Sequence, residues 1–223
     1  MSAPFAEDVA EYLKNNPGFF AQYADLMAQI FVPHPHGGRA ISLAERQMLA
    51  LREKNRQTEG KLAELIAFGE ENDQIGEKAH RLAVGLIAVE SFAAAVHLLD
   101  LHLRDDFAVP RVALRLWRQP AGVADLPECA AVNADLQAFA ETLARPYCGS
   151  TAGFGTAAWF GEAAPHIRSQ ALIALNEGGA TIGLLALGSE DAQRFYAEMG
   201  TLYLERIGEM VSAALVRLGR QAS

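Results

Sequence analysis

Cysteine is scarce in this chain of 223 residues, which contains only Cys129 and Cys148. The two do not form a Cys-x-x-Cys motif, and the acidic N-terminus from Met1 to Asp8 has no signal-peptide pattern. These features do not fit a secreted, disulfide-bonded protein, because such proteins use cysteine pairs and carry a leader. We therefore expect a cytoplasmic protein in a reducing compartment.

Long apolar runs are also missing. The most apolar stretches, around Leu82 to Val89 and Ala180 to Leu187, are far shorter than the ~20 residues that a membrane-spanning helix requires. Blocks of positive charge are absent too, because 19 basic residues are interspersed among 27 acidic ones and the net charge is −8. We therefore expect no membrane segment and no direct binding to nucleic acid.

Proline is absent from Ser42 to about Val89, and this segment is predicted to form one long helix. Ser42 can cap the first turn while Glu45 reaches back to the main-chain amide of Ser42. Apolar and small polar residues then recur at alternating steps of four and three, which is coiled-coil spacing with a partly polar seam: Leu51, Asn55, Thr58, Leu62, Leu65, Gly69 and Asn72. We expect this helix to pair with a second copy; the alternative is a helix docked on its own domain.

The segment before this helix is predicted to contain two short helices between Ala6 and Ile30, broken at Asn15-Asn16-Pro17-Gly18 because proline disfavours helical backbone in the residue before it. The following stretch, from Phe31 to Gly38, is rich in proline and glycine and is interpreted as a linker. His34 and His36 lie in it. Two histidines without a third ligand nearby do not make a metal site, so a structural role is favoured.

The pattern changes near Ser91, where helix-period segments begin to alternate with strand-like runs. We predict helices, strands and a loop over these ranges: helix Phe92 to Leu103, strand Val112 to Trp117, loop Pro120 to Pro127, helix Val132 to Ala144, strands Thr156 to Phe160, Ala171 to Leu175 and Thr181 to Leu187, and a final helix from Ser189 to Leu218. Asn176-Glu177-Gly178-Gly179 predicts a hairpin between the last two strands. The fold class is α+β, with a helical region over 1–90 and a second domain over 91–223.

Two stretches of the chain resemble the DUF484 family of uncharacterised bacterial proteins. The first runs from Tyr12-Leu13 through Asn16-Pro17-Gly18-Phe19-Phe20 to Leu51-Arg52, and the second from Ala171-Leu172-Ile173 through Ile182 to Ser189 and on to Leu204. Members of this family pair a helical N-terminus with a GAF-like C-terminal domain. The resemblance implies an antiparallel sheet flanked by helices and assigns no activity.

GAF domains often bind small effectors such as cyclic nucleotides or tetrapyrroles and pass the signal along a helix. This sequence lacks the Asn-Lys-Phe-Asp-Glu run of the cyclic-nucleotide-binding type. Cys148 is similar to a bilin-attachment cysteine, but the usual neighbouring histidine is absent. We expect no cofactor and no chromophore, and leave the small effector unidentified.

The candidate ligand site consists of aromatic and basic residues around a glycine-rich loop, Gly149 to Gly155. Apolar walls with a few polar groups make ligand sites, and the candidates are Trp117, Arg145, Tyr147, Phe154 and Trp159. Ordinary core packing is the alternative for the aromatic residues. Arg145 and Arg168 could recognise an anionic effector. The loop matches neither a P-loop nor a nucleophile elbow, and Asp105, Asp106, Asp125 and Glu128 are interpreted as solvated carboxylates without partners.

Three functions fit these features. The favoured one is a non-catalytic sensor or adaptor that binds a small effector or protein and forms a homodimer through the 42–89 helix and the final helix. A scaffold whose GAF-like pocket is filled by its own side chains is the second. The third is a small-molecule enzyme, which requires titratable groups such as Cys148, Ser150 and His166 to converge near the glycine-rich loop.

Overall fold

The computed structural model describes residues 5–32, 41–118 and 126–221. Contacts along the chain divide it into two compact units, Met1–Gly69 and Glu70–Ser223, and the division falls inside the long helix. Each unit is described by itself. The predicted division into a helical region over 1–90 and a second domain over 91–223 stays a prediction.

The first unit begins with three short helices, α1 (Ala6–Asn15), α2 (Gly18–Gln22) and α3 (Ala24–Gln29). The predicted break before Gly18 is confirmed, but the prediction of two helices is wrong, because the backbone of Tyr23 (φ −117°, ψ 47°) leaves the helical region and separates α2 from α3. Two short strands follow.

These strands, β1 (Phe31–Val32) and β2 (Ile41–Ser42), pair antiparallel, with Phe31 opposite Ser42. The linker prediction is therefore wrong for Phe31 and Val32, whose main chains take part in the pairing. The predicted histidine pair, His34 and His36, lies outside the described residues.

The long helix α4 (Leu43–Ala88) confirms the prediction for the proline-free segment. Its first turn is capped as predicted, since the Glu45 amide donates to the Ser42 hydroxyl at 3.2 Å. The leucines of the seam are exposed within one chain: 61% for Leu51, 56% for Leu62 and 67% for Leu65. Only the end of α4 is buried, through Ala79, Leu82 and Leu86.

The second unit contains a four-stranded antiparallel sheet with strand order β3-β6-β5-β4, which confirms the α+β fold class. The strands are β3 (Arg111–Leu116), β4 (Tyr147–Gly149), β5 (Ser169–Glu177) and β6 (Ala180–Ser189). The predicted hairpin joins β5 to β6. Gly178 and Gly179 both have positive φ, 57° and 85°. A two-residue turn requires these values if it is to match the twist of the two strands that it joins.

Helices cover one face of this sheet: α5 (Phe92–Asp105), α7 (Leu202–Gln221) and the end of α4. The prediction that the last helix starts near Ser189 is wrong, because Ser189 is the final residue of β6 and pairs with Ser169. Its hydroxyl accepts from the Asp191 amide at 3.1 Å, so Ser189 stabilises a turn instead of capping a helix. Residues 190–201 form turns, and within this stretch the side chain of Phe195 is buried.

The other face of the sheet is covered by α6 (Ala134–Thr142) and by a 3₁₀ segment, Thr156–His166. The strand predicted from Thr156 to Phe160 is therefore wrong. Gly155 (φ 68°) and Gly161 (φ 59°) adopt left-handed backbone at both ends of this stretch, and strand pairing cannot continue through such geometry.

Candidate functional site

Strand β3 places a charged side chain, that of Arg115, on the second face of the sheet. Side chains alternate along a strand, so Leu114 and Leu116 point to the α5 and α7 side, whereas Ala113, Arg115 and Trp117 point to the other. Arg115 is thus a cation among apolar neighbours. Trp117 lies on the same face, two residues further along the chain.

Three aromatic rings form a cluster on that second face. The ring centres of Tyr147 and Phe154 lie 4.8 Å apart, and Phe139 of α6 lies 4.8 Å from Phe154 and 6.2 Å from Tyr147. Aromatic pairs at such distances stabilise a core beyond their buried area. The structure therefore brings the predicted site residues Tyr147 and Phe154 together as packed side chains.

The two tryptophans belong to the same face but have different roles. A hydrogen bond fixes the ring of Trp117, because its indole N–H donates to the Thr181 carbonyl at 3.1 Å. Trp159, on the 3₁₀ segment, lies beside Arg115, whose guanidinium carbon is 5.3 Å from the ring centre. This distance is in the range of a cation–π contact.

A solvent-open cleft of about 530 Å³ lies beside Trp159. We call it the Arg115 cleft; α5, β3 and the segment 126–128 form its walls, and its lining includes Phe92, Val96, His97, Arg115, Glu128 and Trp159. Its size is in the range of small-molecule sites, about 300–1,000 Å³. Besides Arg115, the charged groups of its lining are the carboxylates of Asp100 and Glu128, so the cleft combines apolar walls with charges of both signs.

Arg115 is half-buried at this cleft. Burial lowers the pKa of its guanidinium, and the negative charge of Glu128 raises it. One guanidinium nitrogen, Nη1, donates to the Leu114 carbonyl at 2.8 Å. No carboxylate among the described residues lies within ion-pair distance of Arg115, so its charge is desolvated without being neutralised by contact.

Arg145 lies away from this cleft. It borders a different cleft of about 460 Å³, together with Glu177 of β5 and Glu205, Glu209 and Arg220 of α7. The second predicted cation, Arg168, is exposed. Neither Arg145 nor Arg168 lines the Arg115 cleft, and Arg115 is the arginine in its lining.

The glycine-rich loop is fixed by hydrogen bonds of its own. The Ser150 carbonyl accepts from the Tyr147 hydroxyl at 3.1 Å and from the Gln170 amide at 3.4 Å, while the Ser150 hydroxyl accepts from the Ala152 amide at 3.2 Å. Gln170 is fully buried and also accepts from the Thr156 hydroxyl at 2.5 Å. These hydrogen bonds give the polar groups of Ser150 and Gln170 a structural role.

Cys148 lies in the middle of β4 and is buried on the α7 side of the sheet. Burial raises the pKa of its thiol to about 11. A thiol with that pKa stays protonated at neutral pH, and the thiolate is the reactive form. Its surroundings therefore do not activate Cys148 as a nucleophile.

Asp106 has two partners, so its interpretation as a solvated carboxylate is wrong. Its carboxylate lies 2.6 Å from the His102 Nδ1 and 3.1 Å from the Arg81 guanidinium. The hydrogen bond with His102 and the charge of Arg81 lower the pKa of Asp106 against the opposing effect of burial. This triad ties α4 to α5 on the helical side, while the predicted carboxylate Asp125 lies outside the described residues.

Neither a metal-binding cluster nor a membrane-spanning helix occurs among the described residues. No three histidine, cysteine or acidic side chains in these ranges gather closely enough to hold a metal ion. None of the described helices combines the length and the apolar character needed to cross a bilayer.

Comparison with known proteins gives a family and a distant structural neighbour. A family profile described as "Protein of unknown function, DUF484" matches residues 4–219. The chain is similar to the X-ray structure of free methionine-R-sulfoxide reductase from Neisseria meningitidis in complex with its substrate, with 15% identity and a TM-score of 0.46 over 67% of this chain and 92% of that one. No curated protein matches the sequence.

Proposed function

The chain belongs to the DUF484 family, and from this premise we propose that it is a non-catalytic, GAF-like regulatory module that binds a small anionic effector in the Arg115 cleft. The observation that carries the proposal is the half-buried guanidinium of Arg115 against the face of Trp159, at the border of an open cleft. A partly desolvated cation of this kind attracts a carboxylate or phosphate group more strongly than a fully exposed one does, because water screens it less.

The aromatic face of Trp159 adds a second element of recognition. A planar group of the effector can stack on this ring while its anionic group pairs with Arg115. Phe92 and Val96 of α5 provide the apolar wall opposite. The favoured effector is therefore a small molecule with one planar apolar part and one anionic part.

The scaffold with a self-filled pocket is the alternative. The cluster of Phe139, Tyr147 and Phe154 fills part of the second face with the protein's own rings, in agreement with that hypothesis. The cleft beside Trp159 supports the effector-binding hypothesis, because it is open and its arginine forms no ion pair with a described carboxylate.

Catalysis is disfavoured by the environment of the groups that it would use. The thiol of Cys148 is buried and protonated, and the hydroxyl of Ser150 is engaged by the Ala152 amide. His166 is exposed, and no contact joins it to either group. These residues do not form the hydrogen-bonded set of nucleophile and base that covalent catalysis requires.

Pairing with a second copy of this chain is the other part of the proposal. The seam of α4 exposes Leu51, Leu62 and Leu65 at coiled-coil spacing, with Asn55 and Thr58 between them. Two such seams bury each other's leucines, and polar seam residues fix the register. The coiled coil then places two effector-binding domains in one assembly.

Native mass spectrometry of the full chain purified from cells tests effector binding. We expect a co-purifying small anion that is lost in Arg115→Ala and retained in the matched control Arg118→Ala, whose side chain is exposed just beyond β3. Equal retention of the same molecule by both variants contradicts binding through Arg115.

A further inference from the structure

A second cavity, of about 420 Å³, lies on the helical side of the sheet. We call it the Lys78 cavity. It is enclosed by α4, the end of α5 with the turn that follows, the turns over 190–201 and the first part of α7. None of its lining residues belongs to the Arg115 cleft.

The interior of the Lys78 cavity is apolar. Its floor is formed by side chains of the main core that are almost fully buried, namely Leu103, Val109, Leu187, Phe195 and Ile207. An apolar group bound in this cavity would gain dispersion contacts with its walls and would be removed from water.

The charged groups at this cavity are all of one sign. Lys78 and Arg194 border it, and no acidic residue belongs to its lining, although the whole chain carries a net charge of −8. Lys78 is partly buried, and its ammonium group forms no hydrogen bond or ion pair with a residue in the described ranges. A hydrogen bond orients the side chain of Arg194, since its Nη2 donates to the Phe107 carbonyl at 2.6 Å.

The turn that forms one wall is held in an unfavourable backbone conformation. Ala108, next to Phe107, has φ 52°, and among the described residues it is the non-glycine residue with positive φ. Such a conformation costs about 1–3 kcal/mol and occurs often at ligand sites. The bond from Arg194 to Phe107 fixes this turn against the cavity.

From these observations we propose that the Lys78 cavity is a second binding site, for a small amphipathic carboxylate. The apolar chain or ring of the ligand fills the space above Leu103 and Leu187, and its carboxylate pairs with Lys78 and Arg194 at the border. Apolar walls supply affinity, and two cations without a competing acid select for an anion. This site is independent of the effector proposed for the Arg115 cleft.

Isothermal titration of the full chain with decanoate, below the concentration at which it forms micelles, tests the inference. Decanol, which has the same chain and no charge, is the matched ligand. We expect saturable binding of one decanoate per chain, at least about tenfold tighter than decanol, because a hydrogen-bonded ion pair has that effect or more. Equal affinity for the two ligands, or no saturable decanoate binding, overturns the proposal.

Two variants locate the bound decanoate. Lys78→Ala is expected to weaken binding about tenfold, and Lys61→Ala, an exposed lysine of the same helix, is expected to leave it unchanged.

Arg115→Ala separates this inference from the proposed function. We expect this variant to bind decanoate with wild-type affinity, because Arg115 does not border the Lys78 cavity. If Arg115→Ala removes decanoate binding and Lys78→Ala does not, the carboxylate occupies the Arg115 cleft; the second site is then wrong, and the proposed function is supported.

Discussion

The guanidinium carbon of Arg115 lies 5.3 Å from the centre of the Trp159 ring, on the face of the sheet that carries the open cleft. Within the described part of the chain no carboxylate forms an ion pair with this arginine. Burial lowers its pKa, so its charge opposes folding slightly. The proposed function gives this arginine a role in binding, not in stability.

Arg115→Met is therefore expected to change the free energy of unfolding by no more than about 1 kcal/mol, because the lost cation–π contact is offset by relief of the buried charge. Trp159→Ala should cost about 2 kcal/mol or more, since it removes a half-buried ring. Urea unfolding of both variants measures the difference. A loss above about 3 kcal/mol in Arg115→Met contradicts a binding role, because the arginine would then be structural.

Asp106→Asn tests the triad that joins α4 to α5. The folded-state pKa of Asp106 lies below its unfolded value, so the carboxylate stabilises the fold above about pH 4 and loses this effect as the pH falls through the folded pKa. At pH 7 the variant should be less stable than the wild type by about 1 kcal/mol. Urea unfolding at several pH values should show the gap narrowing in acid; a constant gap excludes ionisation of Asp106 as its cause.

Gly183→Ala tests the contact between β6 and β3. A Cβ at residue 183 would clash with the Leu116 side chain and would lie 2.5 Å from the main-chain oxygen of Arg115. Because backbone cannot move aside as a side chain does, we expect a loss of about 2–4 kcal/mol. Gly60→Ala, in the exposed part of α4, should instead stabilise by about 1 kcal/mol. Thermal unfolding compares the two; a neutral Gly183→Ala shows that the strands are not this close.

Leu62→Glu tests pairing through the α4 seam. A carboxylate at this position brings charge into the interface of two copies, and the exposed site tolerates it within one chain. Light scattering at micromolar concentration should show a dimer for the wild type and a monomer for this variant. Glu64→Gln, on the helix flank, should remain dimeric. A wild-type monomer at that concentration overturns the pairing.

The main elements could be predicted because their signals are local. A proline-free segment with a capping serine predicts α4, and two adjacent glycines between apolar runs predict the turn from β5 to β6. Strand β4 was missed because it has only three residues, directly after Pro146. The strand predicted from Thr156 failed because the left-handed backbone of Gly155 and Gly161 depends on the packing of the segment onto the sheet.

The site was predicted only in part. Trp117, Tyr147, Phe154 and Trp159 do share one face, since the alternation of strands and the order of the chain constrain them. Arg145 was predicted as a cation that could recognise an anionic effector; it borders another cleft, and its contribution to ligand binding stays a prediction. The sequence feature that could have identified the cleft is Arg115, a charged residue on the same side of its strand as Ala113 and Trp117.

The most direct test of the Arg115 cleft follows the indole N–H resonance of Trp159 by NMR, assigned with Trp159→Phe, during titration with benzoate and with its neutral analogue benzamide. We expect benzoate to shift this resonance saturably and benzamide to have at least about tenfold lower affinity, with no benzoate response in Arg115→Ala. An unchanged Trp159 resonance at saturating benzoate, or the same response in Arg115→Ala, contradicts an anion site at Arg115.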